Sequence, residues 1–161
     1  MRIALVAVGR MKDGPERGLV SRYLDRAAAT GKPLGLTGFA VTELTESRAS
    51  SANARKAEEA RALLAGIPEK SVLIALDERG KSLSSEDFAG KIVSWRDMGR
   101  ADLMLVIGGA DGLDAEIRQR ADLTLSFSPM TWPHQIVRIM AAEQLYRATT
   151  ILAGHPYHRG D

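Results

Sequence analysis

Ala101-Asp102-Leu103-Met104-Leu105-Val106-Ile107-Gly108-Gly109-Ala110-Asp111-Gly112 reads as a buried strand running into a glycine loop. A short helix and another strand, Leu123 to Phe127, come next. A compact turn follows, Ser128-Pro129-Met130-Thr131-Trp132-Pro133-His134, then a long amphipathic helix and a polar tail, His155-Pro156-Tyr157-His158-Arg159. Tight loops that leave strand ends and open onto helices stand where open α/β sheets bind ligands, outside the carboxyl ends of the strands. The tail, dense in His, Tyr and Arg, is available to complete a site. The pattern suggests a small molecule in the loops and a polar substrate against the tail.

Upstream, the same alternation of β and α continues. Ile3 to Val8 is a near-continuous apolar run, as expected of a strand covered on both faces. Gly14-Pro15 opens a helix through about Ala29, stopped by Gly31 and Pro33, and Phe39 to Leu44 is a second strand. Asn53 begins a helix with Leu63 and Leu64 on its apolar side, ended by Gly66 and Pro68. Val72 to Asp77 is a buried strand. Ser84 is placed to cap the next helix, with Asp87 three residues on, and that helix carries Phe88, Ile92, Val93 and Trp95 to a stop at Gly99. From Pro133 to Ala153, apolar residues at 136, 137, 140, 141, 145, 148, 151 and 152 form a one-face stripe, with Glu143 and Arg147 as an i,i+4 pair. No repeat or linker interrupts the chain. Strands alternating with helices imply a mostly parallel α/β sheet in one domain, residues 1–161.

Composition agrees. A chain of 161 residues, 45% apolar and 26% charged, is long enough for one well-cored soluble domain and short for two. Without cysteine there is no disulfide, thiolate or Cys-based metal chemistry. The amino-terminal run is too short for a signal peptide, and no stretch approaches the ~18 apolar residues of a membrane span, so a cytoplasmic protein with no membrane partner is expected. The net charge of +2 says little, but residues 1–32 hold seven basic and three acidic side chains, an excess of +4. Such an end suits tracking phosphates and equally suits a solvated helix face.

The glycine loop is neither G-x-G-x-x-G nor a Walker loop, so a dinucleotide or nucleoside triphosphate is poorly supported. It reads equally as a cofactor loop and as a tight turn with no ligand. Leu76-Asp77-Glu78-Arg79-Gly80-Lys81 ends a strand in a charged turn; its carboxylates suit ribose hydroxyls or a general base, although solvated turn residues are the commoner use. Phe127 to Pro133, with two prolines, is a rigid loop able to read a purine edge or simply to turn a corner. The three histidines, 134, 155 and 158, form no metal-binding motif, so no metal is expected. There is no G-x-S-x-G elbow. What remains is a polar substrate oriented and deprotonated by Tyr157, His158 and Arg159, with histidine the group that titrates near neutrality.

Taken in order, Leu5-Val6-Ala7-Val8-Gly9, Leu76-Asp77 with Gly80-Lys81, Ile107 to Gly112, Thr131-Trp132-Pro133-His134, Glu143 to Ala148 and His155 to Arg159 resemble the RlmH-type methyltransferases of the SPOUT superfamily along the whole chain. These methylate nitrogen 3 of a pseudouridine in 23S ribosomal RNA. The resemblance implies a Rossmann-like sheet whose C-terminal part, about 72–153, is threaded into a trefoil knot, an arrangement so rare that periodicity alone would reject it. It implies S-adenosylmethionine bound at Leu76, Gly108 and Phe127-Ser128-Pro129-Met130-Thr131-Trp132. It further implies a homodimer acting on the ribosome, the tail of one subunit (154–161) reaching the pocket of the other, and Tyr157, His158 and Arg159 as the catalytic group. Arg159 would stabilise the imide anion, and His158 or Tyr157 would relay its proton. Two other readings compete. One is a SPOUT enzyme acting on a transfer-RNA base or ribose; the other is a non-catalytic ribosome-binding module. A nicotinamide dehydrogenase is more distant, because its glycine spacing is absent.

Overall fold

The computed structural model describes residues 1–159. In chain order the elements are β1 (Arg2–Val8), α1 (Pro15–Gly31), a 3-10 turn (Lys32–Leu34), β2 (Thr37–Leu44), α2 (Ala52–Ala65), β3 (Val72–Lys81), α3 (Ser85–Asp97), β4 (Asp102–Ile107), α4 (Ala115–Arg120), β5 (Leu123–Leu125) and α5 (His134–Leu152). The strands form one sheet in the order β2-β1-β4-β3-β5, every pair parallel. All carboxyl ends therefore share one edge, and the loops leaving that edge are neighbours in space.

Residues alternate between the two faces of a strand, and both faces here are covered. Ile3, Leu5, Ile74, Leu103 and Leu105 pack with Leu24 of α1, Phe88 and Ile92 of α3 and Leu145 of α5. Val6, Val8, Leu73, Met104 and Val106 pack with Leu63 of α2 and Ile117 of α4. This two-sided burial is why β1, β3 and β4 read as continuous apolar runs. Ser84 caps α3 as the sequence implied, its Oγ accepting the Asp87 amide at 3.0 Å. No helix of the described residues is long and apolar enough to cross a membrane.

Three element ends differ from the sequence reading. β2 starts at Thr37, earlier than Phe39, because Gly38 (φ +87°) and Phe39 (φ +56°) carry a register shift that turns the Phe39 ring inward. β5 stops at Leu125, since the Ser126 hydroxyl turns back to the Ser128 carbonyl at 3.0 Å. β3 does not end in a charged turn after Leu76. It bulges over 77–80 and pairs with Leu125 again at Lys81. Gly80 permits this: a β-carbon there would lie 2.6 Å from the Leu125 carbonyl carbon and 2.7 Å from that of Thr124, closer than any side chain tolerates.

Candidate functional site

At the carboxyl edge, the loops after β3, β4 and β5 enclose an open cavity of about 350 Å³, within the usual range of small-ligand pockets, about 300–1,000 Å³. Leu76, Asp77 and Arg79 form one wall and Ile107 to Leu113 another, while Leu125 to Ser128 and Met130 to Trp132 close the third side. Leu76, Gly108, Phe127, Ser128, Met130, Thr131 and Trp132 thus converge on one space; Pro129 stands outside the lining, exposed. Met130 and Trp132 are exposed apolar groups on this loop, 68% and 39% accessible.

The walls are held by their own chemistry. Gly108 has no room for a side chain, because its β-carbon would meet the backbone of Gly112 at 2.7 Å. The Gly112 amide closes the loop on the Gly109 carbonyl at 2.9 Å. In the third wall the Ser128 hydroxyl accepts the Met130 amide at 2.9 Å. Asp77 is not a free base or ribose ligand. Its Oδ2 is paired with Arg118 Nη1 at 3.1 Å, and its Oδ1 accepts the Arg79 amide at 2.9 Å. Arg118 in turn donates to the Leu113 carbonyl at 2.6 Å, so this pair braces β3 to the end of the glycine loop.

The tail is elsewhere in the same chain. Tyr157 packs on the core and His158 bridges two helices, its Nδ1 3.3 Å from Arg147 Nη1 on α5 and its Nε2 2.5 Å from Glu86 on α3. Arg147 can only donate and Glu86 accepts, which sets the neutral imidazole with its proton on Nε2. Burial, then the Glu143 carboxylate, raises the Tyr157 phenol well above the ordinary tyrosine range. It is a hydrogen-bond donor at neutral pH and a poor base. Arg159 is exposed, with no ion-pair partner among the described residues. None of Tyr157, His158 or Arg159 lines the cavity of its own chain. A second hollow, lined by Ser84, Ile139 and Glu143, shares Leu125, Ser126 and Phe127 with the first.

Sequence reasoning missed the charged side chains that fasten these loops. Arg138 is 4% exposed and donates to the Val8 and Gly9 carbonyls at 2.8 and 2.7 Å and to Glu43 at 2.8 Å. It ties the start of α5 to the ends of β1 and β2. A signal was present: Arg138 lies three and seven residues before Ala141 and Leu145, a cation on the apolar face. Glu59 stands likewise one turn before Leu63 on the buried face of α2.

The family model described as "Predicted SPOUT methyltransferase" matches residues 1–158. Ribosomal RNA large subunit methyltransferase H of Allorhizobium ampelinum is 59% identical over 159 residues, 99% of each chain. The protein of the same name from Bradyrhizobium diazoefficiens is 55% identical over the same share of both. Among solved structures, a probable methyltransferase from Bordetella pertussis Tohama I superposes with a TM-score of 0.51 at 14% identity, covering 91% of this chain and 95% of that one. That last likeness is one of fold.

Proposed function

The chain belongs to the SPOUT methyltransferase family, and on that premise we propose that it methylates nitrogen 3 of a pseudouridine in 23S ribosomal RNA, using S-adenosylmethionine, on ribosomes in the cytoplasm. The observation that carries the reading is the convergence of Leu76, Gly108 and residues 127–132 on one cavity at the carboxyl edge. Its walls offer what a nucleoside with a charged amino-acid arm needs: glycine backbone for close approach, an apolar rim at Met130 and Trp132, and polar groups at Ser126 and Ser128. When bound, S-adenosylmethionine supplies an electrophilic methyl group on a sulfonium.

The chain's own residues then have to place the acceptor in line and manage one proton. The imide nitrogen of pseudouridine is a good nucleophile only once deprotonated. Arg159, exposed and unpaired among the described residues, is suited to the negative charge that develops there. His158 has a lone pair on Nδ1, at present occupied by Arg147, and is suited to accept the proton once the acceptor displaces that contact. Tyr157 positions the pair.

Because Tyr157, His158 and Arg159 do not line the cavity of their own chain, this reading requires a homodimer in which the tail of one copy, 154–161 with 160 and 161 outside the described residues, serves the cavity of the other. Exposed Met130, Trp132 and Ile136 around the start of α5 suit such a contact. The trefoil knot, over about 72–153, belongs to the same reading. It is supported by the course of 77–80, which leaves the ladder after Leu76 and returns to Leu125 at Lys81, with Gly80 against the backbone of Thr124 and Leu125.

The test is transfer of labelled methyl from S-adenosylmethionine to ribosomes lacking the modification, followed by digestion and identification of the labelled nucleoside. Label in N3-methylpseudouridine of 23S RNA is the expected result. Label in another nucleoside, or in transfer RNA, overturns the assignment. Sedimentation as a monomer at micromolar concentration overturns the shared site.

A further inference from the structure

Two consecutive turns of α2 grip the glycine loop from behind. Arg55 forms a two-point pair with Asp111, Nε to Oδ2 at 2.6 Å and Nη2 to Oδ1 at 3.1 Å, and its Nη1 donates to the Ala49 carbonyl at 3.1 Å. One turn on, Glu59 is 7% exposed; its Oε1 accepts the Ser47 amide at 3.0 Å. Its Oε2 lies 2.9 Å from where a β-carbon would stand on Gly109, so the carboxylate is packed against the loop backbone. Each side chain therefore touches two things, the glycine loop and segment 45–51. Neither lines the cavity.

The geometry points to Arg55 and Glu59 as positioning residues that set affinity for S-adenosylmethionine without touching it, an inference that rests on the function proposed above. A loop with glycines at 108, 109 and 112 has more backbone freedom to lose than any other wall of the cavity. Ordering it before the ligand arrives removes that cost from binding. A planar guanidinium facing a carboxylate at two points fixes orientation as well as distance, which an ammonium does not. Segment 45–51 supplies the second anchor, so the loop is held between two fixed points.

The experiment is calorimetric titration of S-adenosylmethionine into the full chain, with melting temperature recorded for every variant. Arg55→Ala and Asp111→Ala are each expected to weaken binding about tenfold, and the double variant no more than the weaker single one. Arg55→Lys should recover only part of the loss. Glu59→Gln, which keeps the shape and the acceptor for Ser47, should bind within about twofold of wild type, and Glu59→Ala should not. Single-turnover transfer at saturating S-adenosylmethionine should stay near wild type in the Arg55 and Glu59 variants, whose side chains lie outside the cavity, since only the ground-state pocket has been loosened. Wild-type affinity in Arg55→Ala, or additive losses in the double variant, overturns the inference. If the wild-type chain binds no S-adenosylmethionine, the proposed function falls instead. Amide exchange at 108–112 then decides this inference: faster exchange in Arg55→Ala supports it, and unchanged exchange overturns it.

Discussion

The phenol of Tyr157 donates to Oε1 of Glu143 at 3.0 Å and so ties the tail to the last helix. Its ring centre lies 4.6 Å from that of Tyr146, and the Arg147 guanidinium sits over the ring, 4.9 Å from its centre. Tyr157→Phe should cost about 1 kcal/mol of stability, one partly buried hydrogen bond, and Tyr157→Ala about 2–3 kcal/mol, because the aromatic contact goes as well. Burial and Glu143 raise the phenol in the folded protein only. Its contribution is therefore complete at neutral pH and declines as the pH climbs past about 10, where the unfolded phenol ionises. Melting curves between pH 7 and 11 should show wild type and Tyr157→Phe converging; a gap that stays constant would contradict the assignment.

Arg159 is the cleaner probe of catalysis. It is exposed and engaged with nothing described, so Arg159→Ala should melt like wild type. Methyl transfer to unmodified ribosomes at saturating S-adenosylmethionine should fall about ten- to a thousandfold, the scale of one charge-stabilising or proton-transferring group. His158→Ala should show a similar loss of rate but also a lower melting temperature, since it removes the bridge between Glu86 and Arg147. A wild-type rate in both variants would take the tail out of the active site.

Gly108→Val should abolish binding of S-adenosylmethionine in calorimetry. The first cause is internal: a β-carbon at 108 would drive the Gly112–Leu113 backbone away and open the loop, whether or not the side chain reaches the ligand. Near-normal affinity in that variant would remove the glycine loop from the binding site.

Arg138→Met should destabilise the fold by about 3 kcal/mol. It strips the Val8 and Gly9 carbonyls of their donor and leaves Glu43 with Arg17 as its one guanidinium and the Met11 amide. Burial pushes the Glu43 carboxyl up, but the Met11 amide and the Arg17 and Arg138 guanidiniums outweigh it and hold it below the usual range. A depressed carboxyl stabilises the fold above about pH 4.3 and loses that contribution as the pH falls further. Acid melts of Glu43→Gln should accordingly lose less stability below that point than wild type. Parallel curves would contradict the pair's role.

The elements and the three cavity walls were legible because their signals are local. Two-sided strands read as apolar runs, Ser84 reads as a cap, and Gly108 and Gly112 mark a tight turn, the first by its crowding and the second by its positive φ. The tail was legible in composition but its packing was not. Nothing in His-Pro-Tyr-His-Arg shows that Tyr157 reaches Tyr146, because that contact depends on where α5 ends. The ion pairs of Arg55, Arg118 and Arg138 join residues 56, 41 and 95 positions apart. One chain of symbols carries no sign of such partners beyond a charge placed on an apolar face. The bulge at Gly80 was hidden for the same reason: what crowds it is Thr124 and Leu125.

β4 lies between β1 and β3 in the sheet, yet it is made after both, and Arg2 faces Asp102 across one hundred residues of chain. A nascent chain that has not yet reached residue 102 can hold β1 with β2 on one side and β3 alone on the other, each with a bare apolar edge. Emergence of Asp102 to Ile107 joins the two halves, and the same strand runs without a break into Gly108. Premature termination before that point leaves an aggregation-prone remnant with no cavity. For this chain, joining the two halves of the sheet and setting the glycine wall of the cavity in place are one step of biosynthesis.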